Sequence, residues 1–312
     1  MANNGAFRVL GGKSDMRIGD IEISPLIDGE AVVPGTAFYP NLEESDWEPY
    51  TDLLEPVFHQ CQHLNTLGGY LVRAGDRVIV VDGGSGPKPK WPFAGGGFRS
   101  ALASTGLNRA DVTDVIYTHL HFDHIGWASV QGRSYFPNAT YHVDRRDWDW
   151  FLGPDFSFTE QEVAGSLARL ELSADYCYPE NDAPAVRLRP VVDQIEFFTG
   201  ADEVELLPGV VALDGSGHTP GQVVLELRSA GQKGLLVGDL VHAQPELVDD
   251  NERGQWHFIS HTDDDRAYAA VEHFRKRICD ESLAVAGGHF PGLRWGRVTR
   301  ERGKRVWEDI RG

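Results

Sequence analysis

The sequence predicts an α+β protein whose sheets carry helices on their outer faces. Three observations lead there. Short apolar, β-branched runs recur from residue 18 onward, helical patterns interrupt them, and no stretch is long enough to force a domain boundary. The 312 residues could fill one large domain or two modest ones. They read as a single domain over 1–312 with an irregular insertion at about 34–60.

The elements follow in order. "IGDIEISPLID" (18–28) alternates like a strand and runs into an Asp28-Gly29 turn. Residues 34–60 break the alternation with four prolines and several aromatics, leaving room for one short helix. "TLGGYLVRAGDRVIVVDGG" (66–84) reads as a hairpin around Ala-Gly-Asp. "GGFRSALASTGL" is a short amphipathic helix, "DVTDVIYT" a strand, and "NATYHV" another strand. Helical stretches follow in "DRRDWDWFLG" and "TEQEVAGSLARLEL". Strands are expected at "QIEFFTG", "VVALDG", "QVVLELRS" and "GLLVGD". "DDRAYAAVEHFRKRIC" has apolar positions at helical spacing, and the chain closes through "LAVAGGHFPG" to a strand around "KRVWEDI".

An apolar fraction of 41% places the chain among globular proteins rather than disordered ones. Acids outnumber Lys and Arg by 47 to 29, a formal charge of −18 that leaves out any bound cation. No basic cluster could track a phosphate backbone, which excludes nucleic acid as an expected partner. Cys61, Cys177 and Cys279 are scattered and odd in number, which fits reduced thiols better than disulfides or a thiolate zinc site. The first twenty residues lack a basic start and an apolar core, and no apolar run could span a membrane. The expectation is a soluble, cytoplasmic protein without membrane partners.

The stretch that carries chemistry is "VIYTHLHFDHIGW", residues 115–127. His119, His121, Asp123 and His124 crowd together directly after a β-branched and aromatic run. In an extended segment residues i and i+2 project to one side, so His119 and His121 can grip one ion. Asp123 and His124 come a turn later and point elsewhere, where a second ion could lie. Imidazole nitrogen suits Zn²⁺, and a carboxylate suits a slightly harder neighbouring site. Further ligands appear where strands end: His218 in "DGSGHTPGQ", Asp239 in "LLVGDLV" and His289 in "AVAGGHFPG". Each lies beside small residues that let the backbone bend.

These seven residues, in this order, resemble the metallo-β-lactamase superfamily of dinuclear metallohydrolases, as does Asp82 in "VIVVDGG". The resemblance covers roughly residues 66–292. It implies a four-layer αββα sandwich with two Zn²⁺ ions at one edge of the paired sheets; iron, manganese or cobalt are the alternative native metals. His119, His121 and His218 would surround the first ion, Asp123, His124 and His289 the second, and Asp239 would bridge both. Asp82 either anchors a ligand histidine from behind or serves as a turn residue. Two such ions share a water and lower its pKa towards ~7, giving a hydroxide that attacks a carbonyl or phosphoryl centre. Asp239, Asp123 and His242 are the candidate catalytic residues. "DGGSG" is not the elbow of a serine hydrolase, and "WPFAGGGF" (91–98) lacks the ending of a phosphate-binding loop.

Residues 238–267 with "GGHFPG" look like the branch that holds methyl parathion hydrolase and the quorum-quenching lactonases. Many acyl-homoserine-lactone lactonases place a tyrosine three residues after the bridging aspartate, where this chain has His242. The departure points away from a standard acyl-homoserine-lactone assignment. His242 either donates to a leaving oxygen or hydrogen-bonds behind the site. Phe38, Tyr39, Trp47, Phe122, Trp127, Trp148, Trp150 and Phe151 are candidates to line an apolar pocket. The expectation is hydrolysis of a small neutral ester, a lactone first. Phosphotriester hydrolysis is the nearest rival; a thioesterase, a β-lactamase and an iron-dependent oxidoreductase follow. The expected partners are a small-molecule substrate and at most a second copy of the chain in a homodimer.

Overall fold

The computed structural model describes residues 16–54, 62–87, 95–154, 156, 184–249 and 256–310. Two seven-stranded sheets dominate. The first takes β1 (Met16–Ile18), β2 (Ile21–Pro34), β3 (Gln62–Ala74), β4 (Arg77–Val81) and β5 (Asp114–Ile116) in that spatial order. It then skips the small ribbon of β6 (Ser129–Val130) and β7 (Arg133–Ser134) and ends with β8 (Thr140–Asp144) and β9 (Ile195–Phe198). The second runs in sequence order through β10 (Val204–Leu207), β11 (Val210–Asp214), β12 (Val223–Ser229), β13 (Gln232–Leu236), β14 (Ala284–Ala286), β15 (Gly296–Glu301) and β16 (Lys304–Asp309).

Period-2 alternation explains why the sheets stack. On β4, Ile79 and Val81 point between the sheets, and Val80 points to the outer face of the first. On β12, Val223, Leu225 and Leu227 fill the space between the sheets, and Val224 faces outward. Strands apolar on both faces must be covered on both, and helices supply the cover. Phe98 and Leu102 of the Phe98–Ser104 helix pack on the first sheet. Phe274 and Ile278 of the Asp264–Glu281 helix, whose N-terminus is capped by Asp263, pack on the second. The result is the expected αββα order.

Several expectations change in detail. Asp28-Gly29 is no turn: β2 continues through it, with a bulge between Ile27 and Gly29. The turn comes earlier, at Gly19-Asp20, between β1 and β2. Among its described residues the insertion holds three short α-helices, Gly35–Phe38, Glu44–Trp47 and Thr51–Leu54, and a 3-10 turn at Glu48–Tyr50, rather than one helix. The terminal strand is half of a hairpin, β15 with β16, and β10 was not foreseen. The helix expected in "TEQEVAGSLARLEL", with Cys61 and Cys177, lies outside the described residues. Cys279 is a free, half-buried thiol. Among the described residues, no helix is long and apolar enough to cross a membrane.

Strand direction positions the site. β4, β5 and β8 are parallel, as are β13 and β14. The segments leaving β5, β13 and β14 therefore emerge at the carboxyl ends of parallel strands, where open α/β sheets leave room for a ligand.

Candidate metal centre

After β5 the chain runs irregularly, with a bend at Thr118, to His121, whose extended backbone (φ −66°, ψ 155°) makes it the N-cap of a one-turn helix, Phe122–Ile125. His119 and His121 thus precede the helix, and Asp123 and His124 lie in its turn. This change of backbone separates the two halves of the motif.

The seven expected ligands converge. His121 Nδ1 lies 2.9 Å from His119 Nε2 and 2.9 Å from His218 Nε2. Asp239 Oδ2 completes that group, 3.5 Å from His218 Nε2 and 3.8 Å from His119 Nε2. Asp123, His124 and His289 form the second group, with Asp123 Oδ2 3.5 Å from His289 Nε2. Asp239 also faces this one: Oδ1 is 3.2 Å from His124 Nε2, and Oδ2 is 3.1 Å from His289 Nε2. Its carboxylate therefore lies between the two groups.

Close approach of the strands' ends explains two glycines. At Gly238 (φ +53°) a Cβ would fall 2.8 Å from the Thr118 side chain. At Gly288 it would fall 2.6 Å from Asp239 Oδ1. Any side chain there would push the ligand loops apart.

The remote ring nitrogens are held from behind. Thr118 donates through N and Oγ1 to the two oxygens of Asp82, each at 2.8 Å. His124 Nδ1–H donates to Asp82 Oδ2 at 2.9 Å. Because the Thr118 hydroxyl proton is committed to Asp82, His119 Nδ1–H donates to Thr118 Oγ1 at 3.2 Å. His289 Nδ1–H donates to the Thr66 carbonyl at 3.2 Å, and His218 Nδ1 meets His261 Nδ1 at 3.2 Å. In His119, His124 and His289 the contact puts the proton on Nδ1 and leaves the inner Nε2 for a cation, whereas between His218 and His261 either ring can donate. Asp82 pays a backbone strain for this, at φ +59°.

Electrostatics follow from burial and from Asp239. Burial, reinforced by neighbouring imidazoles, holds His119 and His218 well below the usual histidine range. It lowers His121 to about 4. Burial also opposes charge on His124 and His289, but Asp239, with Asp82 on one side and Asp123 on the other, raises both. Asp239 is held well below the carboxylate range, because the surrounding histidines outweigh its own burial.

The residues fit a pair of cations. Three lone pairs of His119, His121 and His218 converge with no proton left to satisfy them all, a donor set suited to zinc. His124 Nε2 and Asp239 Oδ1 are buried and make no hydrogen bond. Buried polar atoms left in this state cost about 1–3 kcal/mol each unless a ligand takes them up.

The aromatic rim divides. Tyr39 and Trp47 are fully buried in a cluster with Leu54, Ala243, Trp256 and Phe258, so they anchor the insertion rather than face a pocket. Tyr39 OH donates to the buried Glu246 Oε1 at 2.6 Å, and Trp47 stacks on His63. Trp127 is core, its indole N–H donated to Asp28. Trp150 is exposed, and Trp148 packs edge-on against Phe197. Phe151 is buried yet meets the ring of His121 edge-on at 5.4 Å. Phe38 and Phe122 are half-buried, and Phe38 stacks on Phe258. His242 is at the site: its Nε2 is 3.1 Å from Asp239 Oδ2, and its ring lies on Phe258 at 3.4 Å, 10° from parallel. Sequence reasoning missed His261 and Phe258 as individual site residues, although they lie within the 238–267 stretch that carries the family likeness.

Solved structures show the same fold. AidC, a dizinc quorum-quenching lactonase in complex with a product, is 22% identical with a TM-score of 0.74, covering 95% of this chain and 97% of that one. AbOPH, a hydrolase in the beta lactamase superfamily, is 21% identical with a TM-score of 0.75, covering 96% and 98%. Among curated proteins, N-acyl homoserine lactonase AttM of Azorhizobium caulinodans is 42% identical over 55 residues; the match spans 18% of this chain and 19% of AttM. The family model for the metallo-beta-lactamase superfamily matches residues 69–288, from the hairpin strand before Asp82 to the glycine before His289. With the fold, the ligand order and that match in agreement, the chain belongs to the metallo-β-lactamase superfamily of hydrolases.

Proposed function

We propose that the chain is a dinuclear zinc hydrolase that opens a small uncharged ester, a lactone in the first place. The observation that carries this reading is the shared carboxylate: Asp239 faces both ligand groups at 3.1–3.8 Å. When bound, a cation pair supplies Lewis acidity for an ester carbonyl and makes a water ionisable near neutral pH.

The residues divide the remaining work. His119, His121 and His218 would hold one cation and Asp123, His124 and His289 the other, with Asp239 shared between the two groups. Asp239 would orient the attacking water and accept its proton, and Asp123 would help to hold the second cation. Hydrolysis adds hydroxyl to the acyl carbon, breaks its bond to the ring oxygen and delivers a proton to that oxygen. His242 is placed for the delivery. Both of its ring nitrogens are buried without a hydrogen bond, and stacking on Phe258 fixes the ring plane. AidC and AttM, named above as lactonases, support a lactone, as does the apolar wall of Phe151 and Phe258 near the ligands.

The test is a panel of rates at two zinc per chain, on acyl homoserine lactones, simple lactones, aryl esters and phosphotriesters. The expected result is the highest kcat/KM on a lactone. Faster cleavage of a phosphotriester overturns the substrate class. A chain that binds iron in preference and shows redox turnover overturns the reaction.

A further inference from the structure

Asp147 touches none of the seven ligands, yet it holds both loops of the first group. It lies in the Arg145–Phe151 helix, buried at 1% exposure. Its Oδ2 accepts from the Leu120 backbone N–H at 3.0 Å, and Leu120 stands between ligands His119 and His121. The same oxygen accepts from Thr219 Oγ1 at 2.9 Å, next to ligand His218. Oδ1 accepts from the Gly221 N–H at 2.6 Å, on the far side of the same turn. One carboxylate thus ties a loop of the first sheet to a loop of the second.

We infer that Asp147 is the positioning residue of the first cation, setting the distance between the His119/His121 loop and the His218 loop while leaving the second cation untouched. The reasoning is geometric. The first group draws two ligands from one loop and one from the other, so its bite depends on a separation that no ligand fixes. Asp147 bridges that gap with one hydrogen bond to the first loop and two to the second, beside the direct bond from the Val223 N–H to the Thr118 carbonyl at 2.9 Å. The second group is held elsewhere: by Asp82 behind His124, and by Thr66 and Tyr70 behind His289. The helix that carries Asp147 is itself pinned, since its N-cap Asp144 accepts from the Arg146 and Gly200 backbone N–H groups. Space forbids a bulkier linker, because a Cβ at Gly221 would fall 2.9 Å from Asp147 Oδ1.

The inference rests on the two-cation reading, and the experiment separates the two. Zinc affinities of the wild type, Asp147→Asn and Thr219→Val are measured by competition with a chromophoric chelator. Crystals grown at limiting zinc, imaged at the zinc absorption edge, show which position empties. Asn cannot accept at both ends, so the Gly221 N–H loses its partner, and Val removes one hydroxyl at nearly constant shape. The expected result for Asp147→Asn is a loss of about 10–100-fold in affinity at the His119/His121/His218 position, with the other position unchanged. Thr219→Val is expected to act in the same direction by less. Folded variants that bind both cations as the wild type does, or that lose both alike, overturn the positioning role. If Asp147→Asn fails to fold, Thr219→Val decides by the same criteria. A wild type that binds fewer than two zinc ions overturns the two-cation reading and the inference with it.

Discussion

Asp82→Asn offers a clean test of how the second cation site is held. Asp82 accepts three hydrogen bonds, from Thr118 N, Thr118 Oγ1 and His124 Nδ1. Asparagine keeps the shape, and it tolerates the left-handed backbone at φ +59° better than other non-glycine residues. Its carbonyl oxygen can stay with the Thr118 N–H, which turns the amide NH₂ towards His124. A ring nitrogen facing a donor must give up its own proton, so His124 is driven to the tautomer protonated at Nε2. That proton occupies the lone pair meant for the cation. Loss of such a supporting contact weakens metal binding by about 10–100-fold, or about 1.4–2.7 kcal/mol. The assay is a zinc titration in competition with a chelator, read alongside the thermal transition. The site of His124 should weaken, and that of His119 with it, because the amide also faces Thr118 Oγ1 and frees its proton for His119 Nδ1, while the unfolding midpoint of the zinc-free protein moves little. Two sites of wild-type affinity in Asp82→Asn would refute the tautomer argument and leave Asp82 a turn residue.

Other outcomes follow from the same geometry. Asp239→Asn removes charge from both ligand groups and should lose most zinc and most turnover; normal rates with two zinc bound would refute the bridging role. His242→Phe preserves the stack on Phe258 and should lower kcat at full zinc content, whereas unchanged kinetics would make His242 structural. Burial pushes the Asp114 carboxyl up, but hydrogen bonds from His142 and Thr113 outweigh it and hold it below 3.8. Its stabilising contribution is therefore present above about pH 4 and is lost as acid protonates it in the folded state. Urea midpoints should fall more steeply below about pH 4 in the wild type than in Asp114→Asn; parallel acid limbs would remove Asp114 from the account.

The residues that converge at the site were legible because each carries a local signature. His119 to His124 lie within six residues, and His218, Asp239 and His289 each follow an apolar strand beside glycines. What supports those ligands was mostly hidden. His261 reaches His218 only through the fold, and Asp147 acts across two loops that the sequence keeps 99 positions apart, Leu120 and Thr219. Asp28-Gly29 carries the signature of a turn. The structure instead bulges at Asp28, between the paired Ile27 and Gly29, and uses its carboxylate as an acceptor for Gly86, Gly96, Phe98 and Trp127. The aromatics of residues 34–60 announced a cluster without naming its partner. Tyr39 and Trp47 turn out to pack on Trp256 and Phe258, more than two hundred residues away.

Neither sheet owns a complete ligand group. The strand-end loops of the first supply His119, His121, Asp123 and His124, and those of the second supply His218, Asp239 and His289. Between β9 and β10 the chain crosses from one sheet to the other in five residues. A polypeptide severed there would yield two pieces, each bearing half a chelate and neither able to bind a cation tightly alone. Zinc would then act as a rivet between them, and the concentration needed to rejoin the pieces would measure how firmly the two halves grip each other.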